Sequence, residues 1–187
     1  MVHVLAKIVL VCEKRDKCMA THYWLLVDAV RISDAAQLIQ EHFSVVQILP
    51  LYAGTPFDYL LEQSPYLVNM GPDIANVETW RTLPYFDTSS VIFAVDDKIC
   101  ADDFIVHLQA MLKIEVAGQV LCLRFQSQRL WDAVLAQANT DDIAQCLGPS
   151  KGVFWFNSDD VPVCLYKPNP FTPVEGEQQD SVFKQWV

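Results

Sequence analysis

Trp24-Leu25-Leu26-Val27-Asp28 decides how the rest of this chain is read: four consecutive apolar residues closed by a carboxylate. A strand with one face in water alternates apolar and polar residues, whereas a strand covered on both faces reads as an unbroken apolar run. Similar runs occur at Val45–Tyr52, Tyr66–Met70, Val91–Val95, Val120–Phe125, Val153–Phe156 and Val163–Tyr166. Helical patterns separate them. The expectation is an α/β fold: a mixed, mostly parallel sheet of about five to seven strands with flanking helices, in a single domain.

The helices have legible starts. Asp34 and Gln37 make a capping-box pattern before Leu38, Ile39 and Phe43, and Thr55, Pro56 and Asp58 supply an N-cap, a first-turn proline and an acid. Asp102 or Asp103 caps the segment in which Phe104, Ile105, Leu108, Met111 and Leu112 form one face. Ser127 caps a helix carrying Leu130, Trp131, Val134, Leu135 and Ala138, and a weaker helix runs from Asp141 to Leu147. Residues 1–22 read as an N-terminal extension packed on the domain as a strand or short helix, residues 23–167 as the domain, and residues 168–187 as a tail. Prolines at 168, 170 and 173 stop regular structure there, yet Val182, Phe183 and Trp186 are apolar, which makes Trp186 a candidate partner contact.

The 187 residues carry 13 Lys plus Arg against 23 Asp plus Glu, a formal net charge of -10 that opposes binding to nucleic acid. With 52% hydrophobic and only 19% charged residues, the chain must bury much apolar surface or offer some to a partner. The six cysteines form no Cys-x-x-Cys pair and four lie in apolar runs, which reads as reduced, buried thiols. The opening apolar run is followed rather than preceded by basic residues, unlike a secretory signal, and no run approaches the roughly 20 residues that span a bilayer. The expected place is the cytoplasm, with no membrane partner.

No catalytic constellation emerges. Gly148-Pro149-Ser150-Lys151-Gly152 matches a nucleophile elbow in letters, but a helix precedes it and a strand follows, the reverse of what an elbow needs. Cys12, Cys18 and His22, with His3, lack common zinc spacing. The Asp-Asp pairs at 96/97, 102/103, 141/142 and 159/160 point their carboxylates apart, and no phosphate-binding glycine loop occurs. The expectation is no catalytic residue, no metal and no cofactor.

Two arginines and one aspartate stand out. Asp28 ends an apolar strand, where α/β sheets commonly carry their functional edge. Arg124 sits in an apolar run, and Arg129 falls in a first helical turn, whose positive end disfavours a cation by ~0.3–1 kcal/mol. Either both serve internal ion pairs, with Asp28 and Asp96 as candidates, or they hold an acidic or carbonyl-rich partner.

Several segments, in order, resemble the bacterial type VI secretion effector-chaperone or adaptor family. They are Tyr23-Trp24-Leu25-Leu26-Val27-Asp28-Ala29, Leu51-Tyr52-Ala53-Gly54-Thr55, Ser64-Pro65-Tyr66-Leu67-Val68, His107-Leu108, Leu123-Arg124-Phe125-Gln126-Ser127-Gln128-Arg129, Leu147-Gly148-Pro149 and Phe154-Trp155. Ser127 and Gln128 stand where the family has Asp and Pro; Arg124 and Arg129 are retained. The resemblance implies a non-catalytic protein that binds a secreted effector protein in the cytoplasm and aids its loading onto the spike-tip protein of the secretion apparatus. Asp28, Pro65, Tyr66, Arg124, Ser127, Arg129 and Trp186 are the candidate family-motif or partner-binding residues. A small α/β enzyme and a toxin-neutralising immunity protein are the alternatives.

Overall fold

The computed structural model describes residues 20–73, 75–116 and 119–168. In chain order its elements are β1 (Thr21–Val27), α1 (Ala35–His42), β2 (Gln47–Pro50), a 3-10 segment (Asp58–Gln63), β3 (Tyr66–Asn69), α2 (Ala75–Thr82), the single turn α3 (Phe86–Ser89), β4 (Ser90–Asp96), α4 (Ala101–Ala110), β5 (Lys113–Val116), β6 (Gln119–Cys122), α5 (Gln128–Gln137), α6 (Thr140–Leu147), β7 (Ser150–Phe156) and β8 (Pro162–Tyr166). Residues 1–19 of the N-terminal extension expected at 1–22, and all of the expected tail at 168–187 except Pro168, Trp186 included, lie outside the described residues.

Six strands form one sheet in the order β2-β3-β1-β4-β7-β8, and β5 pairs with β6 in a separate hairpin. Every neighbouring pair is antiparallel, so the mostly parallel sheet expected from the sequence is wrong. The unbroken apolar runs report burial on both faces and carry no information about strand direction. Both faces are indeed covered. Tyr23, Leu25, Val27, Ile92 and Phe156 pack under α1, α2 and α3 with Ile39, Trp80 and Phe86. On the other face Trp24, Leu26, Phe93 and Trp155 pack under α4, α5 and α6 with Phe104, Trp131 and Leu147. Trp131, fully buried, stands 5.7 Å from Phe93, 5.9 Å from Phe125 and 6.1 Å from Trp155, ring centroid to ring centroid.

The alternation of strand and helix has a different meaning here. β1 and β2 both run antiparallel to the β3 between them, so they share a direction and are joined through α1. Likewise β3 and β4 flank β1 and are joined through α2 and α3. Each is a β-α-β crossover that leaves a one-strand gap, and each gap is filled by a strand of the other. Both crossovers lie on the same face, as two crossovers of one hand must when strands of opposite direction step in opposite directions.

Local starts differ from the expected caps. Asp34 precedes α1 but its side chain makes no capping bond, and the Thr55–Asp58 signal opens a 3-10 segment rather than an α-helix. α4 begins before Asp102, with Cys100 Sγ accepting from Asp103 N at 3.3 Å. Ser127 holds the N-cap position of α5 without a side-chain capping bond, whereas Asn139 and Asp142 make a full capping box for α6. The run at Val120–Phe125 is strand only to Cys122, and in the hairpin rather than the sheet. Of the described cysteines only Cys146 is buried; Cys100 and Cys122 are exposed and Cys164 is intermediate, which corrects the reading of uniformly buried thiols.

Candidate functional site

Asp28 follows the last residue of β1 and is 3% exposed. Its backbone N donates to Ser89 O at 2.9 Å, which fixes the end of β1 against the end of α3. Oδ1 accepts from the backbone N–H groups of Val30 (3.0 Å) and Arg31 (3.1 Å), so the carboxylate builds the turn that leaves the sheet. Oδ2 accepts from Arg124 Nη2 and, at 3.5 Å, from Gln126 Nε2. Both oxygens of a buried anion are thereby engaged, as burial demands.

Arg124 reaches Asp28 because its strand stops two residues earlier, freeing the segment after β6 to cross the end of the sheet. Its side chain is 55% exposed against 4% for that of Asp28, so a buried carboxylate is capped by a cation that still faces solvent. Tyr52 lies in the same field: burial raises its phenol pKa, Cys122 adds to the rise, and Arg124 opposes it. The other aspartate considered for the arginines, Asp96, instead faces Lys151 Nζ at 3.6 Å. The hydrogen bond from Lys98 N is the main cause holding the Asp96 carboxyl below its ordinary pKa.

Arg129 is the second residue of α5 and is exposed, as is Arg31 in the turn after β1. Among the described residues no carboxylate lies within ion-pair reach of either. Arg31, Arg124 and Arg129, with Thr88, Ser89, Gln126 and Ser127, surround an open cleft of about 460 Å³ whose floor is Asp28. A second cleft of about 350 Å³ shares Thr88 and Arg129 with the first and is also lined by Asp87, Asp132, Phe156 and Asp160. There Asp132 Oδ1 accepts from Trp155 Nε1 at 2.7 Å, and Asp160 Oδ2 stands 3.8 Å from Arg81 Nη2. Guanidinium groups stay protonated and only donate, so the first cleft can hold an anion in a planar, two-pronged contact. No histidine, lysine or cysteine lines either cleft.

Of the residues singled out in the sequence, Asp28, Arg124, Ser127 and Arg129 therefore meet at one place. Pro65 and Tyr66 do not line that cleft: Pro65 is buried ahead of β3, and Tyr66 pairs across from Val27 and packs against the core that holds Leu25 and Val27. Ser150 is buried and donates to Leu147 O at 2.7 Å, between helix and strand, which gives it a structural bond and no elbow. The Leu51–Thr55 stretch is held in place by Ser64 Oγ, which accepts from Tyr52 N at 2.9 Å, and by Gln109 Nε2, which donates to Leu51 O (3.1 Å) and Ala53 O (2.9 Å). Sequence reasoning missed Arg31, Thr88, Ser89 and Gln126. A cation three residues after a strand-ending aspartate was a usable signal for Arg31; Thr88 and Ser89 arrive only through the pairing of Val27 with Ser90.

Among the described residues no group of His, Cys, Asp and Glu could hold a metal ion, and no helix is long and apolar enough to cross a membrane. Residues 23–145, well over half of the chain, match the model of a family described as Domain of unknown function (DUF4123). No curated protein and no solved structure matches the chain.

Proposed function

The chain belongs to the DUF4123 family, and from that premise we propose that it is a non-catalytic adaptor of the bacterial cytoplasm, which binds a type VI secretion effector and helps load it onto the spike-tip protein. The carrying observation is that Arg31 and Arg129 face an open cleft and, among the described residues, have no carboxylate within ion-pair reach, beside an Arg124 that is anchored on Asp28. Arg129 in particular stands in a first helical turn, where an unpaired cation is disfavoured and a partner's carboxylate would offset the positive helix end. The ordered resemblance of the motif segments to effector chaperones supports the same reading, and the low charged fraction suits a protein that covers surface on a partner.

The test is a pull-down of the tagged full chain from its native cytoplasm, followed by melting of the purified protein with an effector from the same gene cluster. Recovery of an effector with a spike-tip protein is expected, as is a rise in melting temperature with effector concentration. Unchanged melting and elution at concentrations well above micromolar would overturn the proposal.

A further inference from the structure

We propose that the two neighbouring clefts form one bipolar groove for an extended peptide segment of the protein partner, with a carboxylate side chain in the arginine half and, a few residues along, a basic side chain in the aspartate half. This rests on the adaptor reading and specifies its chemistry. The arginine half carries three guanidiniums against a single carboxylate, Asp28, both of whose oxygens are already engaged. In a chain of net charge -10 this is a local inversion of sign, so the cleft selects anions that the rest of the surface repels. A carboxylate beside Arg129 also relieves the conflict between that cation and the positive end of α5.

The two halves are neighbours, since Thr88 and Arg129 line both. The second cleft carries carboxylates of the opposite sign: Asp87, Asp132, which also accepts from Trp155 Nε1, and Asp160, which stands near Arg81. A free phosphate would occupy only the first half, leave the second unmatched, and bring a second negative charge toward Asp28. An extended segment bearing both signs satisfies both halves, and one with the charges misplaced is rejected by like-charge contacts. The recognition is thus of charge order along a backbone.

The test uses the full chain labelled with nitrogen-15, reading the arginine Nε–H signals during titration with acetyl-Glu-Gly-Ser-Lys-amide, with the same peptide carrying Gln for Glu or Gln for Lys, and with sodium phosphate. Saturable shifts of the Arg31, Arg124 and Arg129 signals are expected with the first peptide, weakened at least about tenfold by the Glu-to-Gln change or by Arg129→Gln, and measurably by the Lys-to-Gln change. Rising salt should weaken binding further. No saturable shift in the millimolar range, equal binding of the Gln-for-Glu peptide, or phosphate binding as tightly as the peptide would each overturn the groove. In the pull-down, effector capture that survives Arg31→Gln with Arg129→Gln would overturn this inference while leaving the adaptor reading intact; a wild-type chain that captures nothing would overturn the adaptor reading, and the peptide titration would still decide the groove.

Discussion

The imidazole of His107 fills the space that a side chain on Gly148 would need: a Cβ there would lie 2.3 Å from Nε2 and 2.4 Å from both Cδ2 and Cε1. Gly148 closes α6 with a φ of 52°, and His107 Nε2 hydrogen-bonds with Cys146 O at 3.3 Å. His107-Leu108 and Leu147-Gly148-Pro149, distant in the chain, are two sides of one contact between α4 and the end of α6.

Gly148→Ala is expected to destabilise the domain by about 2 kcal/mol or more, through overpacking against the ring and through a backbone conformation that disfavours a side chain. A melting temperature lower by roughly 4–8 °C would report it. Adding His107→Ala should recover the steric part alone, so a double-mutant cycle in denaturant should show coupling. Strictly additive losses would mean the ring is not the obstacle.

Burial lowers the pKa of His107 below its ordinary 6.5, Lys167 pushes the same way, and the bond with Cys146 O only partly offsets them. With the folded pKa depressed, the unfolded chain binds the proton more readily, so this contribution to stability is present above 6.5 and is lost as pH falls below it. Denaturant melts on either side of 6.5 should show weaker folding on the acid side, and His107→Gln should flatten that slope. An unchanged slope in the variant would remove His107 as its source.

Arg124 and Arg129 should separate cleanly by stability. Arg124→Gln leaves the buried Asp28 carboxylate with its backbone donors and Gln126 but without its cation, costing about 1–3 kcal/mol. Arg129→Gln should stay within about 0.5 kcal/mol of the parent, as for a surface position with no carboxylate partner. Thermal melts decide; a comparable loss at both positions would assign Arg129 an internal role.

Native-state alkylation should rank the thiols. Cys146 is 1% exposed and its pKa is pushed up to about 12, chiefly by burial and further by Asp142, while Cys100 is exposed. Iodoacetamide followed by peptide mass mapping should modify Cys100 well before Cys146, whose labelling should track unfolding. Early modification of Cys146 would show that α6 opens locally.

Particular residues show what could be read in advance. The apolar run Trp24–Val27 carried two-sided burial because alternate residues fall in opposite cores, Trp24 and Leu26 in one, Leu25 and Val27 in the other. Strand direction lay beyond it, because direction depends on where each connection returns, and both crossovers skip a place in the sheet. Asp28 and Arg124 were legible as possible partners, since a carboxylate at the end of a buried strand needs donors. That Arg129 faces a groove while Arg124 folds back depended on β6 ending at Cys122, which the apolar letters of residues 120–125 disguise. Thr88 and Ser89, small and polar in a helical turn, have no local pattern that marks them.

The interleaving of the two crossovers also governs how the chain can be made. Neither crossover forms a continuous piece of sheet alone, because the gap in each is closed by a strand of the other. During synthesis β1 can acquire β3 once residue 69 has emerged, yet its second edge stays bare until residues 90–96 follow, and β4 in turn waits for residues 150–156. Pairings this distant slow folding, and the waiting edges are templates for mispairing between nascent chains. A ribosome therefore has to deliver β7 before the middle of this sheet is protected on both sides.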